Sequence, residues 1–365
     1  MLGLFNFTIG IILIVCAVVF FKIARMNAQV GHAEGNWSGI LATITTIVIG
    51  VYLAGWGIFG LTNQERLIEI GPFLPIPYPL GFYVLAFIPV IFVFIGVYYI
   101  RESKIKNAGR SIRKSEYQEI HPLDLEVSRK AFHITIIGIL VCYLFLGQLA
   151  SNAFFSHLET GWDIWHINIF LAPPIAFAGR AFALFMIVLI FFLLAFTDFI
   201  RIFMPDYYPV KMISNVYRDK EKNALGPHIH LAIGVLFAVT FFSPPIAMAV
   251  IAIAALGDAA ATIVGINIGK HKIHPESKKT WEGCVGGVLV SFTTALLCMI
   301  VLLNEININT ITGSVILCGV GALIFFIIDY YTPTVPLTDN ILNPLCIGLV
   351  MTGLAAAFFP TLLQM

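Results

Sequence analysis

The sequence predicts an all-α fold, a polytopic membrane bundle of about ten spanning helices with the N-terminus outside. Three observations carry this expectation. Of 365 residues, 59% are hydrophobic and 11% charged, against about 25% charged in an average soluble protein, and mean hydropathy is +0.92. Apolar windows close to the roughly 20 residues that a spanning helix needs recur along the chain. Lys and Arg gather on alternate loops, which marks the cytoplasmic side.

The windows run over 5–23, 38–61, 79–100, 131–150, 181–203, 229–242, 245–266, 281–303, 311–328 and 342–363. The sixth is short, and the seventh contains an acid, Asp258. Segment 167–178 carries Pro173 and Pro174 and reads as a re-entrant or interfacial piece, because proline interrupts a helix and frees backbone groups that lipid cannot satisfy. With the N-terminus outside, all 21 Lys and Arg except Arg66 and Arg180 fall on one side. The cytoplasmic face is then 22–37, 101–130, 204–227, 267–280 and 329–341. Tyr98, Tyr99, Trp281, Tyr330 and Tyr331 stand at span ends, where aromatic belts form. Lys22 follows the first apolar run instead of preceding it, the reverse of a secretory signal, so that segment is expected to stay as a span.

A formal net charge of +1 without a long basic block argues against a nucleic-acid partner. Cys16, Cys142, Cys284, Cys298, Cys318 and Cys346 show no ligand or disulfide spacing and read as small buried apolar residues. His271 and His274 have no third ligand nearby for zinc. GINIGK is one residue short of a Walker A string and follows a helix, which excludes that nucleotide site.

The informative charges lie where lipid should repel them. An Asp at the centre of a spanning helix costs about 2.5–3.5 kcal/mol on insertion scales, so Asp258 needs a purpose. Thr262, Gly265 and Gly269 follow it at spacings of 4, 7 and 11 and share its helix face. That face suits the close approach of a ligand, or, more plainly, of a second helix through a small-xxx-small seam. Lys270, Lys272, Lys278 and Lys279 come next, leading into Thr280, Glu282 and Gly283 at a helix start. Lysines beside free helix N–H groups suit a polyphosphate; the plainer reading gives Glu282 to the helix dipole and the lysines to acidic lipid.

Three further groups lie at the same face. Glu126, Arg129, Lys130 and His133 share one helix face. Asp198 and Arg201 are three apart and can satisfy each other. Asp329, Asp339 and Asn340 occupy a stretch without Lys or Arg, so local pairing does not explain the acids. A Mg²⁺ nucleotide bridging acids and lysines accounts for both groups, because hard cations prefer carboxylate and phosphate oxygens.

The order EVSRKAFH, DFIR, RDKEKNALGPHIHLAIG, ALGDAAATIVGINIGKHKIHPESKKTWEG and PLTDNILNP resembles the CTP-dependent lipid kinases that include dolichol kinase, phytol kinase and fungal diacylglycerol kinase, relatives of the phosphatidate cytidylyltransferases. The resemblance covers roughly 126–344. It implies an N-terminal three-span region with a basic loop over 1–125 and a kinase-like membrane domain over 126–365. Thr338 stands where family members often carry an additional acid. The GHGG string and Asp-Arg pair of the cytidylyltransferases are absent, which favours the kinase.

What the resemblance implies is transfer of the γ-phosphate of CTP to the hydroxyl of a membrane lipid alcohol, at the cytoplasmic face of an integral membrane protein. Asp258, Lys279 and Glu282 are then the catalytic candidates, Asp258 as general base or metal ligand. Gly265, Gly269, Lys270, Lys272, Lys278, Thr280 and Gly283 hold the nucleotide, with Arg129, Lys130, His133 and Arg201 as a basic rim. Asp339, Asp258 and Glu282 are the expected Mg²⁺ ligands. Two alternatives stand beside this: CMP transfer from CTP to a lipid phosphate, and a transporter whose intramembrane Asp is an ion site.

Overall fold

The computed structural model describes residues 2–63, 74–77, 80–108, 136–147, 149, 175–209, 217, 221–273, 279–303, 306–332 and 335–363. These contain ten apolar helices: α1 (Leu2–Gln29), α2 (Ala33–Thr62), α3 (Leu80–Asn107), α4 (Ile136–Leu146), α5 (Ile175–Phe203), α6 (Pro227–Phe241), α7 (Pro244–Ile268), α8 (Trp281–Val301), α9 (Ile308–Tyr331) and α10 (Asp339–Phe358). Eight are long and apolar enough to cross a membrane; α4 and α6 are shorter. The chain is an integral membrane protein. The fourth window, expected over 131–150, is described only as the short α4.

One expectation is corrected. Residues 175–178, read as the end of a re-entrant piece, form the first turn of α5. Pro173 and Pro174 precede this helix, and proline is tolerated at a helix start, where the N–H has no intrahelical partner. The rest of that segment, with Arg66, lies outside the described residues.

Lipid is as apolar as a leucine side chain, so helices in a membrane associate through close packing more than through water exclusion. The chain accordingly places small residues at its crossings. In the α1–α2 hairpin, a Cβ on Gly3 or Gly10 would collide with the backbone of Gly57 or Gly50. Gly31 turns the chain between these helices at φ +77°, a left-handed conformation that glycine alone adopts at no steric cost.

The centre of the bundle is the hairpin of α6 and the first part of α7. Every residue of Pro244–Ala252 is buried, as is nearly all of α6, matching the rule that a helix apolar all round sits inside. Both helices start on proline, at Gly226-Pro227 and Ser243-Pro244. Around this hairpin pack α2, α5, α8 and α10. Arg180, at the start of α5, donates from Nε to Val239 O at 3.0 Å and also bonds Thr240 O. Its charge meets the last carbonyls of α6, where a helix end favours a cation.

Candidate active site

The ends of α1, α5, α7 and α9 and the starts of α2, α6, α8 and α10 lie at one pole of the bundle, where side chains knit them together. Asn27 Nδ2 reaches Asn223 O at 3.1 Å, Ser38 Oγ accepts from Thr338 N at 3.0 Å, and Asn340 Nδ2 approaches Pro227 O at 3.5 Å. The first two helices lie outside the sequence resemblance, yet α2 helps to position the start of α10 and α1 helps to hold the turn ahead of α6.

The geometry around Asp258 begins with a change of helical pitch. Ile253–Gly257 is a π-turn inside α7, and Asp258 is the first residue after it. Such turns recur at functional sites because they re-aim the side chains that follow. From there α7 runs against α8 along glycines. A Cβ on Gly283 would lie 2.6 Å from Ala261 O and 3.0 Å from Gly265 Cα, and one on Gly287 would lie 3.0 Å from Gly257 O. Gly265 and Gly269 leave room for Thr280, whose hydroxyl accepts from Gly283 N at 3.2 Å and caps α8. The small face of α7 is thus filled by α8, and Gly265, Gly269, Thr280 and Gly283 build this seam.

The chain between the two helices turns back on itself through an antiparallel bridge from Lys272 to Thr280, with Trp281 N bonding His271 O at 2.8 Å. Glu282 accepts from His271 N at 3.2 Å and meets His271 Nδ1 at 2.5 Å. It closes this loop in the first turn of α8, the electrostatically favourable end for an acid. Lys270 and Lys272 are exposed; Lys278 lies outside the described residues, as do Glu126, Arg129, Lys130, His133 and His274.

Lys279 points inward and is the hub of the pole. Its Nζ lies 2.6 Å from Asp329 Oδ1, 3.0 Å from Asp329 O and 3.9 Å from Asp339 Oδ2. Burial would lower its pKa, but Asp339, Asp329 and Asp258 together outweigh that and raise it above the ordinary lysine value. The other carboxylate oxygen of Asp329, Oδ2, accepts from Cys284 Sγ at 3.0 Å. This corrects two expectations. The acids of 329–341 do have a cation, supplied by the loop before α8, and Cys284 is a polar partner at the site.

Arg201 follows the plainer of its two readings, pairing with Asp198. It is 6% exposed, its Nε sits 2.5 Å from Asp198 Oδ1, and its guanidinium donates to the carbonyls of Glu221, Lys222 and Ala224 at 3.1, 2.7 and 2.6 Å. Asp198 Oδ2 accepts from Gly226 N at 3.0 Å, and the Tyr217 ring lies 4.1 Å from the guanidinium. Arg201 therefore fastens the 221–226 turn ahead of α6 and is not part of a solvent-facing basic rim. Spacing alone revealed the Asp198 pair; the carbonyls 20 to 23 residues away left no sequence signal.

Among the described residues, no three of His, Cys, Asp and Glu stand close enough together to cage a metal ion. What the pole does hold is hard oxygen donors around one lysine, in a membrane protein otherwise poor in charge. The chain matches the Cytidylyltransferase family over residues 83–358. It belongs to that family. The match starts within α3, well ahead of residue 126, and runs to the end of α10, so it encloses Asp258, Lys279, Asp329 and Asp339. Searches of curated proteins and of solved structures returned no match. As a cytidylyltransferase family member the protein is a membrane-embedded transferase of a CTP- and lipid-related class. That class sets aside the transporter alternative.

Proposed function

We propose that this family member transfers the γ-phosphoryl group of CTP to the hydroxyl of a membrane lipid alcohol, at the cytoplasmic pole of the bundle. The observation that carries the reading is the convergence of Asp329 and Asp339 on Lys279, with Asp258 near enough to favour the charged lysine further. Phosphoryl transfer depends mainly on positioning and charge neutralisation. Lys279 serves as a phosphate contact held in place by Asp329, while the exposed Lys270 and Lys272 meet the nucleotide at the pole. Asp258 takes the proton as the lipid oxygen bonds to the γ-phosphorus; the bond from that phosphorus to the β-γ bridging oxygen breaks, and CDP leaves.

Magnesium fits this donor set as a partner of the nucleotide. Mg²⁺ keeps several waters and binds through one or two carboxylates plus substrate phosphates, without a dedicated protein cage. With Asp258 given to the proton, Asp339 is the residue that would hold it, together with the nucleotide phosphates, and it would supply neutralisation of phosphate charge. Glu282, engaged by His271, is not retained as a ligand.

The description of the matched family favours a second reading, CMP transfer from CTP to a lipid phosphate with release of pyrophosphate. One experiment separates the two. Purified protein is incubated with Mg²⁺, a panel of lipid alcohols and lipid phosphates, and CTP labelled at the α or the γ phosphate. Label from the γ position in lipid supports the kinase; label from the α position establishes CMP transfer instead and overturns it.

A further inference from the structure

The membrane-facing side of α8 and α9 carries a cleft of about 360 Å³ lined by Val285, Val288, Leu289, Gly319, Leu323 and Phe326. Its volume lies within the usual range of ligand sites, about 300–1,000 Å³. Its walls are apolar, and it opens sideways: Val285, Leu289 and Leu323 are 54%, 60% and 56% exposed. Gly319 makes the floor. A Cβ there would find only the Phe292 ring, at 4.0 Å, so this glycine is not spent on the helix crossing as Gly283 and Gly287 are.

The upper end of the cleft lies within about one helical turn of the candidate active site along both helices. Val285 follows Cys284, whose thiol bonds Asp329, and Phe326 lies one turn before Asp329. Trp281, Phe326 and Tyr330 close over that end, with ring centroids 5.9 to 6.2 Å apart. From Gly319 to Asp329 is ten residues of α9, about 15 Å at 1.5 Å per residue. That is half the roughly 30 Å hydrocarbon thickness of a bilayer, one leaflet.

We propose that this cleft holds the apolar chain of the lipid substrate, with the chain running from mid-membrane at Gly319 to a polar head delivered under the Trp281, Phe326 and Tyr330 rings beside Asp329 and Lys279. The inference rests on the lipid-acceptor reading above and names the path by which that acceptor reaches the site. Its occupant is one apolar chain of the acceptor lipid, whose head is a hydroxyl or a phosphate.

The test uses the full-length protein in detergent with a long-chain primary alcohol carrying a mid-chain diazirine, and the matching phosphate monoester as a second probe. Photolabelling followed by peptide mapping is expected to place a saturable adduct on α8 and α9 around Leu289 and Gly319, competed by unlabelled lipid of the same chain length. Gly319→Phe, which fills the floor, and Leu289→Trp, which fills one wall, are each expected to cut that adduct at least fivefold in protein that remains monodisperse. In the transfer assay, both are expected to raise KM for the long-chain acceptor with little change for a short-chain analogue or for CTP. Labelling that does not saturate, labelling unchanged in both variants, or a light-induced link to a second copy of the chain at this face overturns the inference. Because labelling needs no turnover, saturable labelling without CTP-dependent transfer overturns the functional reading and leaves the cleft standing.

Discussion

Lys279 shows how one residue can be both a structural tie and a candidate phosphate contact. Its partners Asp329 and Asp339 come from two helices, α9 and α10, so replacing it with methionine leaves two carboxylates without their shared cation. Removing one member of a fully buried ion pair costs about 3–5 kcal/mol. Lys279 is 30% exposed, so Lys279→Met is expected to lose less than that in thermal melts, with activity abolished. Restored stability without restored activity in Lys279→Met combined with Asp329→Asn is the expected signature of the dual role. The sign of the pH dependence follows from the raised pKa. The ion pair contributes stability that is complete below the ordinary lysine value of 10.5 and is lost as pH rises through the higher folded value. The melting difference between wild type and Lys279→Met should therefore hold constant from neutral pH to near 10. Cys284→Ala removes one donor from Asp329 and is expected to lower transfer several-fold without loss of CTP binding, measured side by side on the purified variants.

At the scale of elements, the pole depends on two devices that hold helix ends in register. The first is the glycine seam between α7 and α8, where Gly283→Val inserts a side chain into Ala261 O and Gly265 Cα. Overpacking of this kind costs about 1–3 kcal/mol, and a correspondingly lower melting temperature is expected. The second is the Asp198–Arg201 clamp on the 221–226 turn, where Arg201→Ala strands a buried carboxylate. Arg201→Lys is expected to rescue little, because one ammonium cannot serve a carboxylate and three carbonyls arranged for a guanidinium fork. The glycine spacing on α7 was visible in the sequence, and so were both readings of it, ligand approach and helix packing. Only the position of α8 separates them. By contrast, the Lys279–Asp329 pair joins residues 50 apart, and no periodicity within either segment relates them. The start of α5 was misread because paired prolines signal a helix beginning as strongly as a helix break.

For the whole molecule, hydropathy made the ten helices legible, and the scarcity of charge made the pole legible, since every acid in an apolar chain stands out. Depth and lateral order were not legible: beyond His228 and His230 in its first turn, the apolar composition of α6 does not distinguish a central buried helix from a lipid-facing one. The side of the membrane is inferred from the Lys and Arg distribution. Lys272→Cys gives it a direct check, because the six native cysteines are buried or half-buried and Lys272 is exposed. Labelling of that variant by an impermeant maleimide from the cytoplasmic side only is the expected outcome. The role proposed for Asp258, set by a π-turn within electrostatic reach of Lys279, is to act on the acceptor during transfer from CTP. Its most direct test is the single-turnover rate of label transfer to lipid by Asp258→Asn, with CTP affinity measured on the same folded protein. A fall of about 10²–10⁴-fold, the usual contribution of a general base, with CTP affinity little changed, is expected; transfer at the wild-type rate rules that role out.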